Sequence, residues 1–273
     1  MKAVKPPTPP LKNAPAGEFA AQAGNPDFVL SLARGLRVIE SFEGHREGRS
    51  IIEISHSTGL SRASIRRILL TLEHLGYVER SRQVHRLKTQ VLRLGFSFLS
   101  SSSVVEAARP VLERITEQLH ESSSMSMLDG GQIVYVGRSA ASRVLAAGLS
   151  VGSRLPAYCT SMGRVLLAAL PDAELEIYLR GLKPKANTPH TITRIPQLKR
   201  AILSARKDGY AIVDQELEPG LRSIAVPVFT RGGRVVAAIN VGTHVSRVDR
   251  ATLVNRCLPA LEEGARALRD ILI

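Results

Sequence analysis

Residues 51–88 read IIEISHSTGLSRASIRRILLTLEHLGYVERSRQVHRLK, and this stretch decides the fold of the N-terminal third of the chain. Residues 51–58 predict a short helix that ends at Gly59, because glycine can adopt the left-handed conformation that a sharp helix end requires. Ser61 can cap a second helix at once, since its hydroxyl can accept a hydrogen bond from a free backbone N–H. Two short helices joined in this way are typical of helix-turn-helix DNA-binding proteins.

The second helix is predicted to be amphipathic. Its apolar residues recur at steps of three and four along residues 65–75, which places them on one face. The N-terminal half of the opposite face carries the positions that a recognition helix presents to the major groove. The residues at these positions are Ser61, Arg62, Ala63, Ser64, Arg66 and Arg67.

A basic β-hairpin is predicted after this helix. Residues 77–80 and 84–88 alternate in polarity about the polar turn 81–83. Between residues 61 and 88 the chain has seven Lys and Arg against two acidic residues. We expect Arg80, Arg82 and Arg86 to bind phosphates, because such a hairpin can reach the DNA backbone beside the groove. An ordinary amphipathic helix with solvated arginines is the alternative; the adjoining hairpin favours a winged helix-turn-helix.

The composition agrees with a soluble intracellular regulator of two domains. A length of 273 residues suits two cores, and a net charge of +13 indicates an anionic partner. The two cysteines form no disulfide or metal framework and the seven histidines show no paired metal-ligand spacing, so we expect no metal and no other cofactor. No apolar run approaches the ~20 residues of a membrane span, and the start MKAVKPPTPP lacks the apolar core of a signal peptide. We therefore expect a cytoplasmic protein without a membrane partner.

Four segments are predicted along the chain. Proline-rich composition predicts a disordered tail at 1–25, followed by the winged domain at 26–88, a linker helix at 89–103 and a second domain at 104–273. The winged domain begins with a helix near Phe28 that would pack behind the two reader helices. The apolar positions of this helix are Leu32, Leu36, Ile39 and Phe42.

The linker helix is apolar nearly all round, with Leu94 and Phe98 among its large residues. One small domain cannot cover such a helix from one side. A core helix is one explanation; we favour a linker that also packs on a second subunit, because a helix-turn-helix monomer covers only a half-site. The sequence therefore predicts a homodimer or a dimer of dimers.

The second domain alternates helices and strands in a mixed order. Gly130-Gly131 and Gly232-Gly233 are hairpin signals, and hairpins predict an antiparallel sheet. Helices before and after the sheet indicate an α+β sandwich of sensor type. The predicted elements are a helix at 104–120, strands at 124–129 and 132–138, an apolar run at 144–149, a loop at 152–160, helices at 161–170 and 196–207, strands at 210–213, 223–230 and 234–243, and a closing helix from Asp249.

Over residues 28–273 the chain resembles the IclR family of bacterial transcriptional regulators. Members of this family join an N-terminal winged helix to a GAF-like effector domain. The resemblance is carried by SLARGL at 31–36, LPAYCTSMGR at 155–164 and DQELEPGLRSIA at 214–225. Within the family the chain is similar to the branch that controls the β-ketoadipate pathway of aromatic catabolism. Tyr158 stands where other members have a histidine, which suits this branch.

The resemblance implies a regulator of double-stranded operator DNA with a small carboxylate effector, of the β-ketoadipate, protocatechuate or p-hydroxybenzoate class. Activation and repression are both compatible with it, and RNA polymerase is a further partner that it allows. A helix that starts directly after a loop offers free N–H groups to a carboxylate. The implied effector-binding residues are Tyr158, Thr160, Ser161, Met162, Gly163, Asp214, Glu216, Arg222, Ser223 and Asn240.

Simpler roles compete with this assignment at several positions. Residues 161–163 could form a plain helix N-terminus, Asp214 and Glu216 could lie in a solvated loop, and Arg222 could form a structural ion pair.

Two other classes of protein are alternatives. Cys159, His190 and Asp214 could form the triad of a thiol hydrolase. Cys159 lies just before a predicted helix N-terminus, where a thiolate is stabilised. No signature of a cysteine hydrolase surrounds Cys159, however, and His190 lies in a polar stretch typical of a mobile loop, so we expect no enzyme. An architectural DNA-binding protein without an effector would not need the second domain.

Overall fold

The structure is a computed structural model and describes residues 24–45, 47–141 and 149–271. The predicted tail at 1–25 and apolar run at 144–149 lie almost entirely outside the described residues. Within those residues the chain forms two units that divide between Phe98 and Leu99. No helix in the described ranges is long and apolar enough to cross a membrane.

The N-terminal unit is a winged helix-turn-helix, as predicted. Its three strands form an antiparallel sheet in the order β1-β3-β2. A small core joins helices and sheet through buried residues that include Val38, Ile54, Ile65 and Leu69. The elements are α1 (Leu30–Glu40), β1 (Arg49–Ser50), α2 (Ile51–Thr58), α3 (Arg62–His74), β2 (Val78–Ser81) and β3 (Val84–Leu87).

Local signals set the ends of α2 and α3. Ser50 and Glu53 form a capping box at the start of α2, which satisfies two backbone N–H groups that the helix itself cannot use. Gly59 ends α2 with a φ of 70°, in the left-handed region. The Ser61 hydroxyl then accepts a hydrogen bond from the backbone N–H of Ser64 at 3.2 Å and so caps α3. The predicted turn between the two helices is confirmed.

The expectation that Leu32 and Leu36 pack behind the reader helices was wrong. Leu32 and Leu36 are 61% and 44% exposed, because α1 packs on the core through a different face, which carries Leu30, Ala33 and Val38. Strand β1 was not predicted. Arg49 in this strand is buried, and its guanidinium donates hydrogen bonds to the carbonyl oxygens of Ser41 and Glu53 at 2.6 and 2.8 Å.

The predicted linker helix is present. A 3-10 turn at Thr89–Val91 leads into α4 (Leu92–Ser101), and α5 (Ser103–Leu119) follows after an extended residue, Ser102. The helix therefore breaks within the serine run. Between Leu92 and Phe98 of α4 the large apolar side chains are exposed, from 49% at Leu94 to 70% at Leu92.

The C-terminal unit is built on a six-stranded antiparallel sheet with the order β6-β5-β4-β9-β8-β7. The two predicted glycine hairpins join β4 to β5 and β8 to β9. The strands are β4 (Ser122–Asp129), β5 (Gln132–Ser139), β6 (Arg154–Pro156), β7 (Ala211–Asp214), β8 (Leu221–Phe229) and β9 (Val235–His244).

Helices cover both faces of this sheet, which confirms the α+β class. Helix α5 and the last helix, α10, pack on one face, against strand residues such as Ile224 and Ile239. Helices α6, α7 and α8 pack on the other face, against Ala225 and Ala238. The remaining helices are α6 (Ser161–Ala168), α7 (Asp172–Gly181), α8 (Ile195–Asp208), α9 (Arg250–Thr252), a π-turn (Leu253–Cys257) and α10 (Leu258–Ile271).

The main differences from prediction in this unit lie on the sheet face that α6, α7 and α8 cover. Helix α7 was not predicted. The expected loop at 152–160 instead holds the edge strand β6 and a 3-10 turn at Ala157–Cys159. The 3-10 turn contributes Cys159 to the lining of the cavity described below.

Candidate functional site

Helix α3 exposes the predicted DNA-reading side chains. Arg62, Arg66 and Arg67 are all exposed, whereas Ile65 and Leu69 on the opposite face are fully buried. The remaining predicted residues differ in what they can offer. Ser61 and Ala63 are exposed and Ser64 is half-buried.

The wing carries two arginines that are available for phosphates. Arg80 and Arg82 are exposed, and no carboxylate lies within ion-pair distance of either among the residues described. Arg82 sits in the hairpin turn with a φ of 56°, and its carbonyl oxygen accepts a hydrogen bond from Arg80 Nε at 3.2 Å. Arg86 is different, because its guanidinium lies 3.3 Å from the carboxylate of Glu47. It would have to share or exchange that partner to bind DNA.

A buried histidine ties the wing to the recognition helix. His85 in β3 is only 4% exposed, and its Nε2 lies 3.3 Å from the carboxylate of Glu73 in the last turn of α3. Burial lowers the pKa of His85 and outweighs the opposite effect of Glu73. The sequence pointed to neither residue, because this pairing depends on how the hairpin folds back onto α3.

The C-terminal unit contains a cavity at the start of α6, as the resemblance implies. Its volume is about 50 Å³. A single water needs roughly 10–15 Å³ on this measure, so the cavity has room for one small molecule. The 3-10 turn and α6 form one wall, and strands β4, β5, β8 and β9 form the other. Of the ten predicted effector-binding residues, five line the cavity: Thr160, Ser161, Met162, Ser223 and Asn240.

Two buried polar atoms in this cavity have no hydrogen-bond partner among the residues described. They are Oγ of Ser161 in α6 and Oδ1 of Asn240 in β9, and both residues line the cavity. Buried polar groups are almost always paired, and leaving one unpaired costs about 1–3 kcal/mol. A ligand that carries both an acceptor and a donor would satisfy both atoms.

The cavity also contains two arginines that the sequence reasoning missed. Arg247 is already neutralised, because it donates to both carboxylate oxygens of Glu121 at 3.1 and 2.9 Å. Arg138 in β5 has no carboxylate partner among the described residues, and its guanidinium makes one hydrogen bond with them, a long contact of 3.4 Å to Ser124 Oγ. An arginine in the mostly apolar strand QIVYVGRS, next to the serine-rich strand SSSMS, was the available signal.

The start of α6 is less open than predicted. The Thr160 hydroxyl caps the helix by accepting a hydrogen bond from the Gly163 N–H at 3.2 Å, and it contacts the carbonyl oxygen of Pro156 at 3.2 Å. This hydroxyl is therefore already used. A Cβ at Gly163 would lie 2.2 Å from the carbonyl oxygen of Ala157, so the glycine is required by close packing of the 3-10 turn.

The other predicted effector residues do not line the cavity. The Tyr158 hydroxyl donates to the backbone carbonyl of Lys185 at 2.7 Å and accepts from its N–H at 3.1 Å. Glu216 forms a buried ion pair with Arg164 at 2.5 Å. Tyr158 thus holds the loop at Lys185 against the 3-10 turn, and Glu216 holds its own loop against α6.

Asp214 and Arg222 form the remaining pair. They lie opposite each other on β7 and β8, and their charged groups are 2.8 Å apart. Arg222 also donates to the carbonyl oxygen of Val248 at 3.0 Å. These contacts favour the structural ion pair over a ligand role for both residues.

The geometry does not favour the thiol-hydrolase alternative. Burial raises the pKa of the Cys159 thiol to about 11, so the reactive thiolate is disfavoured. Asp214 is occupied by Arg222, and His190 is exposed. The loop around His190 is also more fixed than expected, because Thr188 and Thr191 donate to the carbonyl oxygens of Gln215 and Glu216 at 2.5 and 2.6 Å.

Comparison with known proteins covers almost the whole chain. Residues 31–82 match the model of the IclR helix-turn-helix domain, and residues 96–270 match that of the bacterial transcriptional regulator IclR C-terminal domain. A Pca regulon regulatory protein of Pseudomonas putida is 47% identical over 261 residues, which cover 95% of this chain and 90% of the relative.

Solved structures agree with the fold. A transcriptional regulator from Rhodococcus sp. RHA1 is 47% identical and has a TM-score of 0.80, with 90% of this chain and 98% of that chain covered. The inducer-binding domain of an Acinetobacter transcription factor, solved as a double mutant with 3-hydroxybenzoic acid, is 32% identical with a TM-score of 0.58 and covers 61% of this chain and 98% of its own. The winged domain, the sheet with its cavity and these matches together show that the chain belongs to the IclR family of bacterial transcriptional regulators.

Proposed function

We propose that the protein binds operator DNA and controls genes of aromatic-acid catabolism in response to a hydroxybenzoate. The observation that carries this proposal is the cavity in which Arg138 stands without a carboxylate partner, beside the unpaired atoms of Ser161 and Asn240, among the residues described. The similarity to a Pca regulon regulator and to a domain that binds 3-hydroxybenzoic acid supports it.

The charge of the cavity favours a ligand with one carboxylate. Arg138 can form charge-assisted hydrogen bonds with such a group, and the Ser161 hydroxyl can donate another. A dicarboxylate such as β-ketoadipate would call for a second free cation, but Arg247 is already paired with Glu121.

The remaining lining suits an aromatic ring. Apolar surface comes from Tyr135, Leu149, Met162, Val213 and Leu217. A ring stacked among these side chains would carry its hydroxyl toward Asn240 Oδ1, which accepts hydrogen bonds. We therefore expect p-hydroxybenzoate or protocatechuate to bind more tightly than β-ketoadipate.

We further propose that α4 joins two protomers. Leu92, Leu94, Phe96 and Phe98 are each at least 49% exposed, and a large amount of exposed apolar surface marks an interaction site. A homodimer, or a dimer of dimers, would place two recognition helices on one operator in the cytoplasm. RNA polymerase is the partner through which such a complex would act on transcription.

Control of DNA binding by the acid requires linkage. The effector can shift the protein between two arrangements only if it binds them with different affinities. A change from 1:99 to 99:1 takes about 5.5 kcal/mol of differential binding. Helix α4 contains the point at which the two units divide, so we propose that it transmits the effect of the bound acid to the DNA-binding unit.

Calorimetry with p-hydroxybenzoate, protocatechuate and β-ketoadipate tests the proposal. Ser161→Asp places a negative charge where the carboxylate is expected, so acid affinity should fall more than tenfold, about 1.4 kcal/mol. Gln118→Glu adds the same charge at an exposed position of α5 and should change nothing. Melting temperature and binding to duplex DNA without effector should stay near those of the wild type in both variants. Unchanged acid affinity in Ser161→Asp would place the site elsewhere.

A further inference from the structure

The positive charge of the C-terminal unit is concentrated in one segment. From residue 103 to 273 the chain has 22 Lys and Arg and 16 Asp and Glu. Eight of the 22 basic residues and none of the 16 acidic residues lie between 177 and 207. The rest of this region has 14 basic against 16 acidic residues, so the whole positive excess comes from the segment 177–207, the end of α7, the following loop and most of α8.

Among the residues described, neighbouring acids neutralise two of these eight charges. Lys199 pairs with Glu176, and Arg206 lies 2.6 Å from Asp172. The other six are exposed, and none has a carboxylate within 4 Å among the residues described. These six define the basic surface: Arg180, Lys183, Lys185, Arg194, Arg200 and Lys207.

The backbone that carries the basic surface is fixed. Lys185 is bound through both its N–H and its carbonyl oxygen to the hydroxyl of Tyr158. Farther along the loop, Thr188 and Thr191 donate to backbone carbonyls at the end of β7, and the N–H of Ile192 donates to Glu216 at 3.1 Å. A partner therefore meets charges whose main-chain positions are already set, which reduces the ordering cost of binding.

Helix α8 presents its charges away from the core. Leu198, Ile202 and Ala205 form its buried face, and Arg200 and Lys207 lie on the opposite side, seven residues apart. Seven residues of α-helix span about 10 Å. This distance equals about three base-pair steps along the axis of a DNA duplex.

We propose that the basic surface binds phosphates of duplex DNA outside the half-site that α3 recognises. Its charge is complementary to a polyanion, and the winged unit of the same chain holds the C-terminal unit near DNA at high effective concentration. An acidic protein is the less favoured occupant. Protein interfaces are depleted in lysine and enriched in aromatic residues, whereas this surface holds Lys183, Lys185 and Lys207 and its segment has a single aromatic residue, Tyr178.

Two charge-matched variants of the full-length protein test the proposal. Each removes four arginines or lysines that are exposed and unpaired among the described residues, so the net charge falls from +13 to +9 in both. The surface variant carries Lys183→Gln, Lys185→Gln, Arg194→Gln and Arg200→Gln. The control variant carries Arg114→Gln, Arg250→Gln, Arg266→Gln and Arg269→Gln.

The measured quantity is the salt dependence of affinity for a 60-bp duplex of random sequence. Each lost phosphate contact lowers the slope of log K against log salt by about 0.9. We expect the slope to fall by about two to four per protomer in the surface variant and by less than one in the control, with melting temperatures near that of the wild type. Equal slopes in the two variants would overturn the proposal.

A cross-linking experiment locates the contact directly. Both native cysteines are buried, so a thiol-reactive photocrosslinker can be attached selectively at Lys183→Cys or, as the control, at Arg114→Cys. Cross-links to the duplex are expected from position 183 and not from position 114. A wild-type salt slope in the surface variant, with loss of its binding to immobilised polyglutamate, would assign the surface to an acidic protein and overturn the DNA proposal.

Discussion

Replacing Arg138 with glutamine should remove most of the preference of the cavity for acids. The guanidinium has no carboxylate partner among the described residues, so a bound carboxylate would be its main counter-charge. A hydrogen bond to a charged group contributes about 1.5–3 kcal/mol. Arg138 is half-buried, and water would replace part of a bidentate contact. We therefore expect a loss of about 2–3 kcal/mol, which is about 30- to 150-fold in Kd.

The assay pairs each protein with a charged and a neutral ligand. Calorimetry of the wild type and Arg138→Gln with p-hydroxybenzoate and with its neutral amide, 4-hydroxybenzamide, forms a double-perturbation cycle. The variant should lose affinity for the acid and nearly none for the amide. Arg234→Gln removes an exposed arginine that does not line the cavity and should leave both affinities unchanged. Equal losses for acid and amide in Arg138→Gln, or no loss for either, would refute the assignment of Arg138 as the carboxylate anchor.

Three further outcomes are expected. Leu94→Glu should shift sedimentation toward monomer while the C-terminal unit stays folded, because it would bury a charge in the proposed interface; an unchanged oligomer would count against it. Arg62→Ala should reduce discrimination between operator and mutated operator by about 1–3 kcal/mol, whereas Arg82→Ala should weaken all duplexes alike and flatten the salt dependence; identical behaviour would contradict the division of roles. Burial lowers the pKa of His85 in the folded protein below its usual value of 6.5. The contribution of neutral His85 to stability is therefore fully present above pH 6.5 and is lost as the pH falls toward the lowered pKa. The melting temperature at pH 5.5 relative to pH 7.5 should therefore drop less in His85→Gln than in the wild type, and His74→Gln, at an exposed position, should behave like the wild type.

The sequence predicted the elements whose ends depend on local chemistry. Gly59 and Ser61 mark a turn between helices through backbone freedom and a capping hydroxyl, and both act as expected. Gly130 and Gly131 mark a hairpin in the same way. These signals involve residues a few positions apart, so they can be recognised without knowing the fold.

Contacts between distant segments could not be predicted in this way. Asp214 and Arg222 meet because β7 and β8 pair in one particular register, and the intervening loop does not reveal that register. Arg138 was overlooked for the same reason, since its lack of a carboxylate partner is visible only once the neighbouring strands are placed. Leu32 and Leu36 follow an apolar period in the sequence, but periodicity does not say whether the same chain or a second subunit covers them.

Two neighbouring hydroxyls at the start of α6 differ in their hydrogen bonding. The Thr160 hydroxyl caps the helix, whereas the Ser161 hydroxyl lines the cavity and has no partner among the described residues. In the proposed function, ligand selection and folding therefore depend on adjacent but separate side chains. A biosensor for a different acid could be sought by varying positions 161, 138 and 240 while keeping Thr160 and Gly163, so that ligand preference changes and the helix that supports the cavity is retained.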